Sequence, residues 1–312
     1  MTRGPFISVI VITYNSAGFI LETLNSIRDQ HYESLELVIS DDCSTDGTVE
    51  LCRQWIELNG ERFVRTQLLV PERNQGIPAN CNQGLKAATG EWVKYIAGDD
   101  ALFPGTFEHA ANFIKAVPQA RIFASSFASF QDTFSESNRV ENRDDRDLAF
   151  YGLSAERQHF LLVRNNYLHA GTVFLQRSLL EEVGGFNEKY RLLEDHPMWL
   201  SITARGQKVF YMPAYTLMYR LHGNSVFSHT GIEKLFNNFY LKRRGFELDM
   251  IYPYLRWYES LSYHYSFYLK RSFDALNLNR RSTFCGLLYR FFNAVSPMSI
   301  LYSLKNKRLS NS

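Results

Sequence analysis

The sequence is poor in cysteine, with only four among 312 residues, at positions 43, 52, 81 and 285. No two of them form a CxxC pair, and their spacing shows no regular framework of the kind that cross-links small secreted domains. We therefore expect reduced thiols and a cytoplasmic location.

Long apolar segments are also missing. The sequence has no run of 18 or more apolar residues, so a membrane-spanning helix is not expected. The N-terminal segment MTRGPFISVIVITYN has too short an apolar run, and no small-residue cleavage site, for a secretory signal peptide.

Two familiar nucleotide-binding motifs are absent as well. No GxGxxG follows the first predicted strand, and GxxxxGK[ST] occurs nowhere in the sequence. These absences disfavour a Rossmann dinucleotide site and a P-loop. No recognised nucleic-acid-binding motif accompanies the basic residues, so we do not expect a nucleic acid partner.

What the sequence does contain is a basic, aromatic-rich C-terminal region. Residues 233–312 hold 13 Lys and Arg against 5 Asp and Glu, together with 18 of the 46 aromatic residues. Residues 1–232 hold 21 Lys and Arg against 27 Asp and Glu. Apolar residues recur at helical spacing in the C-terminal region, which predicts amphipathic helices. These helices would bind an anionic membrane surface, or else pack on the catalytic core or form a homodimer.

Apolar strand-like runs alternate with helical patterns through the first 126 residues. The run FISVIVIT (6–13) is rich in β-branched residues and predicts a central strand buried on both faces. The alternation predicts an α/β fold with a mostly parallel sheet covered by helices. The predicted strands are 6–13, 35–40, 66–70, 92–97, 122–126, 208–211 and 216–221, and residues 131–147 are predicted to form an exposed loop.

Polar or acidic residues follow three of these strands, as Tyr14-Asn15, Asp41-Asp42 and Asp99-Asp100. Because the carboxyl ends of parallel strands share one edge of a sheet, we expect the three clusters to converge on one crevice. The adjacent carboxylates of Asp99 and Asp100 repel each other, and a divalent metal held together with substrate phosphates would offset that repulsion. The alternative is that one of them only caps a turn or a helix.

Seven sequence blocks occur in a fixed order: SVIVITYN (8–15), SDDCSTDGT (40–48), RNQGIPANCNQGLKAATGEWV (73–93), GDD (98–100), GGFNE (184–188), LEDHPMWL (193–200) and YRLHGNS (219–225). Together they resemble family 2 glycosyltransferases, which have the GT-A fold. The resemblance covers residues 7–228 and implies a catalytic domain at 1–230, with a nucleotide-sugar half at 1–126 and an acceptor half at 127–230. Residues 231–312 would form a helical appendage.

The resemblance implies a nucleotide-sugar donor, with UDP or dTDP as the nucleotide. Tyr14 can stack on the base, and Asp41 can accept a hydrogen bond from the imide N–H of uracil or thymine. Asp99 would contact ribose or sugar hydroxyls. The full set of donor-site candidates is Thr13, Tyr14, Asn15, Asp41, Arg73, Asn74 and Asp99.

The resemblance also implies Mn²⁺ or Mg²⁺ bound at the acidic pair. Asp100 would be the main protein ligand, with Asp99 and His222 as further candidates. The family often has three acidic positions here, and this chain has Gly98 at the first. That departure leaves open whether Asp99 or Asp100 lies closer to the metal. His222 has a plainer alternative as a loop or packing residue.

Asp195 matches the family's catalytic base, which takes a proton from the acceptor hydroxyl and gives inversion at the anomeric carbon. Its alternative is a carboxylate that only complements a helix dipole. Glu194, His169 and Trp199 are the acceptor-side candidates. Glu194 would position the acceptor or support the loop. His169 has a structural alternative, and for Trp199 core packing is the stronger of the two interpretations.

The sequence therefore predicts an inverting glycosyltransferase that uses a lipid-linked saccharide acceptor in O-antigen, capsule or other surface polysaccharide synthesis. It would be peripheral on the cytoplasmic face of a bacterial inner membrane. One alternative is a sugar nucleotidyltransferase, but the Gly-rich basic loop which that activity needs is absent from TYNSAG (13–18). Another is a catalytically silent sugar-binding or membrane scaffold module, for which the acidic residues would be expendable.

Overall fold

The computed structural model describes residues 4–140, 148–223 and 234–297. The chain divides into two compact units, Met1–His222 and Gly223–Ser312. The predicted domain limits, and the split of the catalytic domain into donor and acceptor halves, stay predictions.

A mixed β-sheet forms the centre of the first unit. Its strand order is β3-β2-β1-β4-β8-β6-β9-β5, and β7 pairs with β6 outside this path. The strands are β1 (Ile7–Thr13), β2 (Leu35–Asp41), β3 (Arg65–Leu69), β4 (Trp92–Ala97), β5 (Ala101–Leu102), β6 (Ile122–Gln131), β7 (Arg139–Val140), β8 (Val173–Gln176) and β9 (Phe210–Leu221).

Strands β3, β2, β1 and β4 are parallel neighbours, as the sequence pattern predicts. All seven residues of β2 are buried, and so are six of the seven in β1, because helices cover both faces of this half of the sheet. The helices between these strands and after them are α1 (Ile20–Arg28), α2 (Thr48–Asn59), α3 (Ile77–Ala87) and α4 (Thr106–Ala116). The predicted fold class is therefore confirmed.

The second half of the sheet differs from the prediction in one long strand. The sequence predicts two strands at 208–211 and 216–221, and the structure has a single strand, β9. Pro213 lies where the pairing with β6 is irregular, between the partners Met212 and Tyr215. Proline is tolerated at such bulges because it cannot donate a ladder hydrogen bond. The predicted break is thus a bulge within one strand.

The short strand β5 was not predicted. Ala101 and Leu102 pair with Met218 and Leu217 of β9, directly after the acidic pair. This pairing holds the end of β9 beside the end of β4. Strand β6 also extends five residues further than predicted, to Gln131. It uses the start of the predicted loop 131–147, of which residues 141–147 lie outside the described part of the chain.

Four further helices complete the first unit. They are α5 (Leu148–Tyr151), α6 (Ala155–Leu162), α7 (Arg177–Val183) and α8 (Asp195–Thr203). Helix α8 contributes mainly buried residues, so it lies in the interior rather than on an open face.

The second unit is helical in its described residues, as predicted. It contains α9 (Phe239–Phe246), α10 (Trp257–Ala275) and α11 (Thr283–Ala294). None of the helices in the described part of the chain is long and apolar enough to cross a membrane.

Candidate active site

The polar ends of three parallel strands lie at one edge of the sheet. Thr13 of β1 is in register with Asp41 of β2. The backbone N–H of Gly98, directly after β4, donates to the carbonyl of Ile12 at 2.9 Å. The structure therefore brings together the three clusters that the sequence places at strand ends.

Hydrogen bonds join the loops that follow β1 and β2. The backbone N–H of Asn15 donates to Ser44 Oγ at 2.7 Å, and Asn15 Oδ1 accepts from the backbone N–H of Thr45 at 2.8 Å. Asn15 has a φ of +52°, a conformation that asparagine adopts more readily than most residues. The neighbouring Tyr14 side chain is 49% exposed, so its ring is accessible to a planar ligand.

Asp41 is fully buried, and Ser44 holds its carboxylate. Oδ1 accepts from the Ser44 backbone N–H at 2.7 Å, and Oδ2 accepts from Ser44 Oγ at 2.5 Å. Each carboxylate oxygen has a second lone pair, so Asp41 can still accept a hydrogen bond from a base. Ser44 was not among the predicted site residues.

Asp42, which sequence reasoning also left without a role, anchors the loop that carries Arg73 and Asn74. Its two carboxylate oxygens accept from the backbone N–H groups of Gln75 at 2.7 Å and Gly76 at 2.8 Å. Arg73 and Asn74 are exposed next to these anchored residues. The only sequence signal for Asp42 was its position beside Asp41.

The two predicted metal-binding aspartates have different surroundings. Asp99 Oδ2 lies 3.0 Å from His222 Nε2, and the Asp99 side chain is 30% exposed. Asp100 is only 2% exposed, and its Oδ1 accepts from the backbone N–H of Arg220 at 2.9 Å. The His222 ring also packs against Phe19, with ring centroids 4.5 Å apart.

Burial raises the pKa of Asp100 well above its usual range, and the charge of Asp99 adds to this effect. Arg220 and Lys94 act in the opposite direction. The described residues contain no group of three His, Cys, Asp or Glu side chains arranged around one point. Asp99, Asp100 and His222 are nevertheless chemically suited to a divalent cation, provided that its other ligands come from a substrate or from water.

Arg220 is a further residue that sequence reasoning missed. Its guanidinium is buried, donates to the Asp99 carbonyl at 2.7 Å, and pairs with Glu22 of α1. Because its backbone N–H also binds Asp100, this residue holds both aspartates from the end of β9. It lies in the YRLHGNS block two positions before His222, which was its only signal.

Gly98, which precedes the acidic pair, lies in a sterically crowded position. A Cβ atom built at this position would lie 2.7 Å from Thr13 Oγ1 and 2.8 Å from Thr13 Cβ. The close approach of β1 and the end of β4 therefore leaves no room for a side chain. Thr13 Oγ1 is buried and has no hydrogen-bond partner among the described residues.

Asp195 is the first residue of α8. Its Oδ2 accepts from Asn166 Nδ2 at 2.7 Å, and its Oδ1 accepts from the backbone N–H of His196 at 2.6 Å. Burial, together with the charge of Asp195, raises the pKa of the adjacent Glu194 to about 8. Asn166 was not predicted, and it fixes the orientation of the carboxylate that matches the family's base.

Contacts with α3 and with the loop before it connect the Asp195 side to the donor side. The backbone N–H of Ile77 donates to the Arg191 carbonyl at 3.2 Å, and Arg191 Nη2 donates to Asn74 Oδ1 at 3.2 Å. Burial raises the pKa of Cys81 in α3, and the charges of Glu194, Asp195 and Asp42 all contribute.

The remaining acceptor-side candidates lie in packed surroundings. His169 packs against Phe127 and Tyr219, with ring centroids 4.5 Å and 4.7 Å away. Burial and the charge of Lys94 lower the pKa of His169 to about 4, so the ring is neutral at pH 7. Trp199 is 2% exposed. Core packing is therefore the interpretation that fits Trp199.

Comparison with protein families gives one match that covers more than half of the chain. A model of the family described as Glycosyl transferase family 2 matches residues 8–184. TuaG of Bacillus subtilis, a glycosyltransferase named for teichuronic acid biosynthesis, is 26% identical over 225 residues, or 72% of this chain and 82% of TuaG. A glycosyltransferase of Mycobacterium bovis named for PGL/p-HBAD biosynthesis is 28% identical over 194 residues, or 62% of this chain and 67% of the relative.

Solved structures are similar in fold. S. aureus TarS in complex with UDP has a TM-score of 0.56 at 21% identity, covering 86% of this chain and 72% of that chain. The mannosyltransferase PcManGT from Pyrobaculum calidifontis, in complex with GDP-Man and Mn²⁺, has a TM-score of 0.55 at 23% identity, covering 78% and 61%. At these identities the likeness concerns the fold alone, and it confirms the predicted GT-A fold.

Proposed function

The chain belongs to glycosyl transferase family 2, and from this premise we propose that it is an inverting, metal-dependent enzyme that transfers one sugar from a UDP-sugar to a saccharide acceptor. The observation that carries this proposal is the meeting of the β1, β2 and β4 ends at one edge, with His222 beside Asp99. That edge combines an accessible aromatic ring, a buried hydrogen-bond acceptor and a carboxylate pair. These three elements suit the base, the imide group and the cation-bound diphosphate of a nucleotide.

The donor site would be built on the loops after β1 and β2. The exposed Tyr14 ring would stack on the base, and Asp41 would accept the imide hydrogen bond that uracil or thymine donates. Asn15, Arg73 and Asn74 would contact the nucleotide from the two neighbouring loops. TarS, which shares the fold, binds UDP and UDP-GlcNAc, so we place UDP ahead of dTDP.

Asp99, Asp100 and His222 would hold Mn²⁺ or Mg²⁺. When bound, the ion supplies positive charge that offsets the charge developing on the leaving diphosphate. Such an ion would also remove the electrostatic cost of keeping two adjacent carboxylates ionised, since burial and Asp99 both raise the pKa of Asp100.

Asp195 would act as the general base. Asn166 holds one of its oxygens, and the carboxylate would take the proton from the acceptor hydroxyl. The hydroxyl oxygen then forms its bond to the anomeric carbon while the bond from that carbon to the diphosphate oxygen breaks. One displacement inverts the anomeric configuration. Glu194, whose pKa is raised, would carry a proton at pH 7 and could donate a hydrogen bond to the acceptor.

The acceptor would be a lipid-linked oligosaccharide of a surface polysaccharide pathway, and the transferred group a hexose or N-acetylhexosamine. Two relatives, one named for teichuronic acid and one for PGL/p-HBAD biosynthesis, support a role in surface glycan synthesis. The lipid-linked acceptor and the kind of sugar are our extension of that support. The predicted O-antigen or capsule setting is one form of this proposal.

The test is a nucleoside-diphosphate release assay with UDP-, dTDP- and GDP-sugars. Each donor is assayed with Mn²⁺, Mg²⁺ or EDTA, and with or without a bacterial lipid extract as the acceptor source. We expect UDP release from one or a few UDP-sugars, stimulation by the extract, and loss of release in EDTA. Release that is unaffected by EDTA would contradict the role of the metal.

Two further measurements separate the proposal from its alternatives. Incubation with a nucleoside triphosphate and a sugar 1-phosphate, followed by pyrophosphate detection, would reveal a sugar nucleotidyltransferase. Calorimetry with the same donors would reveal a silent sugar-binding module, which would bind a donor without releasing the diphosphate under any condition. Either result would overturn the proposed function.

A further inference from the structure

The outer face of α11 carries a stripe of exposed apolar side chains. Phe284, Leu287 and Phe291 are 69%, 60% and 63% exposed. Their spacing of three and four residues places them on one side of the helix. We call these three residues the apolar stripe. Side chains of this size are usually buried in a folded protein. Three of them exposed on one side of a helix therefore indicate an interaction surface.

The opposite face of the same helix holds it to the second unit. Cys285 is buried, and Tyr289 packs against Phe236 and Phe273 with ring centroids 5.4 Å and 5.3 Å apart. The Phe292 carbonyl accepts a hydrogen bond from Tyr265 Oη at 2.6 Å. The helix therefore already has a packed side, and the apolar stripe is not the side that faces this core.

The charges around the apolar stripe are of one sign. Residues 275–312 contain six Lys and Arg and no Asp or Glu. Arg280 and Arg281 come just before α11, and Arg290 lies on the helix; all three are exposed. An apolar face in a sequence segment with cations and no anions is typical of a helix that lies in the interface of an anionic bilayer.

We propose that the apolar stripe inserts into the headgroup region of an anionic membrane while the flanking arginines contact lipid phosphates. Charge decides between a bilayer and a second copy of the chain as the partner. Two copies joined through the apolar stripe would bring their cationic flanks together, and like charges oppose this, whereas an anionic surface attracts them. The inference does not depend on the transfer reaction.

The experiment is flotation of the full chain with two kinds of vesicle. One is made of phosphatidylcholine alone, and the other is phosphatidylcholine mixed with about one third phosphatidylglycerol, which makes it anionic. The test variant is Phe284→Ser/Leu287→Ser/Phe291→Ser. The matched control is Leu58→Ser/Val64→Ser, which removes exposed apolar side chains from the first unit, where they are 85% and 64% exposed. Circular dichroism checks that each variant is folded, and light scattering after gel filtration gives its oligomeric state.

We expect the wild-type chain and the control to float with the anionic vesicles and to bind neutral vesicles much less. The test variant should bind the anionic vesicles roughly tenfold less, because it loses most of the inserted apolar area. Arg280→Gln/Arg281→Gln should weaken binding at low salt more than at high salt.

Two outcomes would overturn the inference. The first is equal flotation of the test variant and the wild-type chain. If the test variant then also converts a wild-type dimer to a monomer, the apolar stripe is assigned to a second copy. The second is no binding of the wild-type chain to either vesicle.

Discussion

Lys94 is a buried cation on a central strand, an arrangement with a measurable electrostatic cost. Its side chain is fully buried in β4, donates to the Gly171 carbonyl, and has its Nζ atom 4.7 Å from the centroid of the Phe174 ring. Burial lowers the pKa of Lys94 from 10.5 to about 7, although the charge of Asp100 acts in the other direction. The residue therefore makes stability depend on pH.

The sign of that dependence follows from proton binding. Between pH 7 and 10.5 the unfolded chain keeps the Lys94 proton and the folded chain has lost it, so the free energy of unfolding rises with pH. Lys94→Met should remove this gain, lowering the slope by up to about 1.4 kcal/mol per pH unit. Urea unfolding from pH 7 to 9.5 measures the slope.

Lys86→Met is the matched control for Lys94→Met, because Lys86 is exposed on α3. It should leave the slope unchanged. Equal slopes for the wild-type chain and Lys94→Met would show that Lys94 keeps an ordinary pKa in the folded protein.

Asp195 and Glu194 are neighbours with different expected roles. Asp195→Asn should lower the turnover number by about 10²- to 10⁴-fold at pH 7, because an amide cannot accept the acceptor proton. Glu194→Gln should retain most of the activity, because the raised pKa of Glu194 already keeps it protonated at pH 7. Steady-state kinetics and donor binding by calorimetry measure both effects.

Donor affinity should be nearly unchanged in the Asp195→Asn chain. Wild-type turnover in that variant would refute the assignment of the base. A loss of donor binding would instead show that Asp195 belongs to the nucleotide site.

At the scale of secondary-structure elements, the close contact between β1 and the end of β4 shapes the acidic site. Gly98→Ala should lower the free energy of unfolding by about 1–3 kcal/mol, because its Cβ would overlap with Thr13. Gly18→Ala is the control, since a Cβ there meets nothing within 4 Å. Thermal and urea unfolding of the two variants give the comparison.

Restoring the family's acidic residue, as Gly98→Asp, should destabilise the chain more than Gly98→Ala does. The larger side chain needs the same space next to Thr13 and also adds a third charge beside Asp99 and Asp100. If Gly98→Asp were as stable as the wild-type chain, the inferred steric conflict with Thr13 would be wrong.

Strand β9 also shapes the acidic site, because it reaches from the core to the acidic pair. Its pairing with β5 brings Arg220 and His222 next to Asp99 and Asp100. Asp99 is 121 positions from Arg220 and 123 positions from His222, so these contacts join distant parts of the sequence. The pairing register shifts near Pro213 but the strand continues, so a sequence pattern that treats this proline as a break does not predict the full length of β9.

At the scale of the whole molecule, cysteine reactivity reports on folding. Burial raises the pKa of Cys52 to about 12 and that of Cys81 well above its usual range, whereas Cys43 is partly exposed. With iodoacetamide at pH 8, Cys43 should react first, and Cys52 and Cys81 should react only when the chain unfolds. Mass spectrometry of digested samples, with and without urea, follows each site. Labelling of Cys52 or Cys81 in the native protein as fast as Cys43 would contradict this picture.

The sequence by itself determined the parallel half of the sheet and the approximate place of the site. Buried β-branched runs specify β1, β2 and β4, and polar residues directly after them must meet at one edge, because parallel strands end on the same side. The seven motif blocks identify the family and the GT-A fold. These features depend on local pattern and chain order, which one sequence contains in full.

Only the tertiary structure decided which side chains support these residues. Ser44 holds Asp41, Arg220 holds Asp99 and Asp100, and Asn166 holds Asp195. Most of these contacts join segments far apart in the chain, so they depend on how strands and loops pack and not on any local pattern. The same reason explains why Trp199, four positions after the predicted base, is buried, and why a side chain at Gly98 would overlap with Thr13.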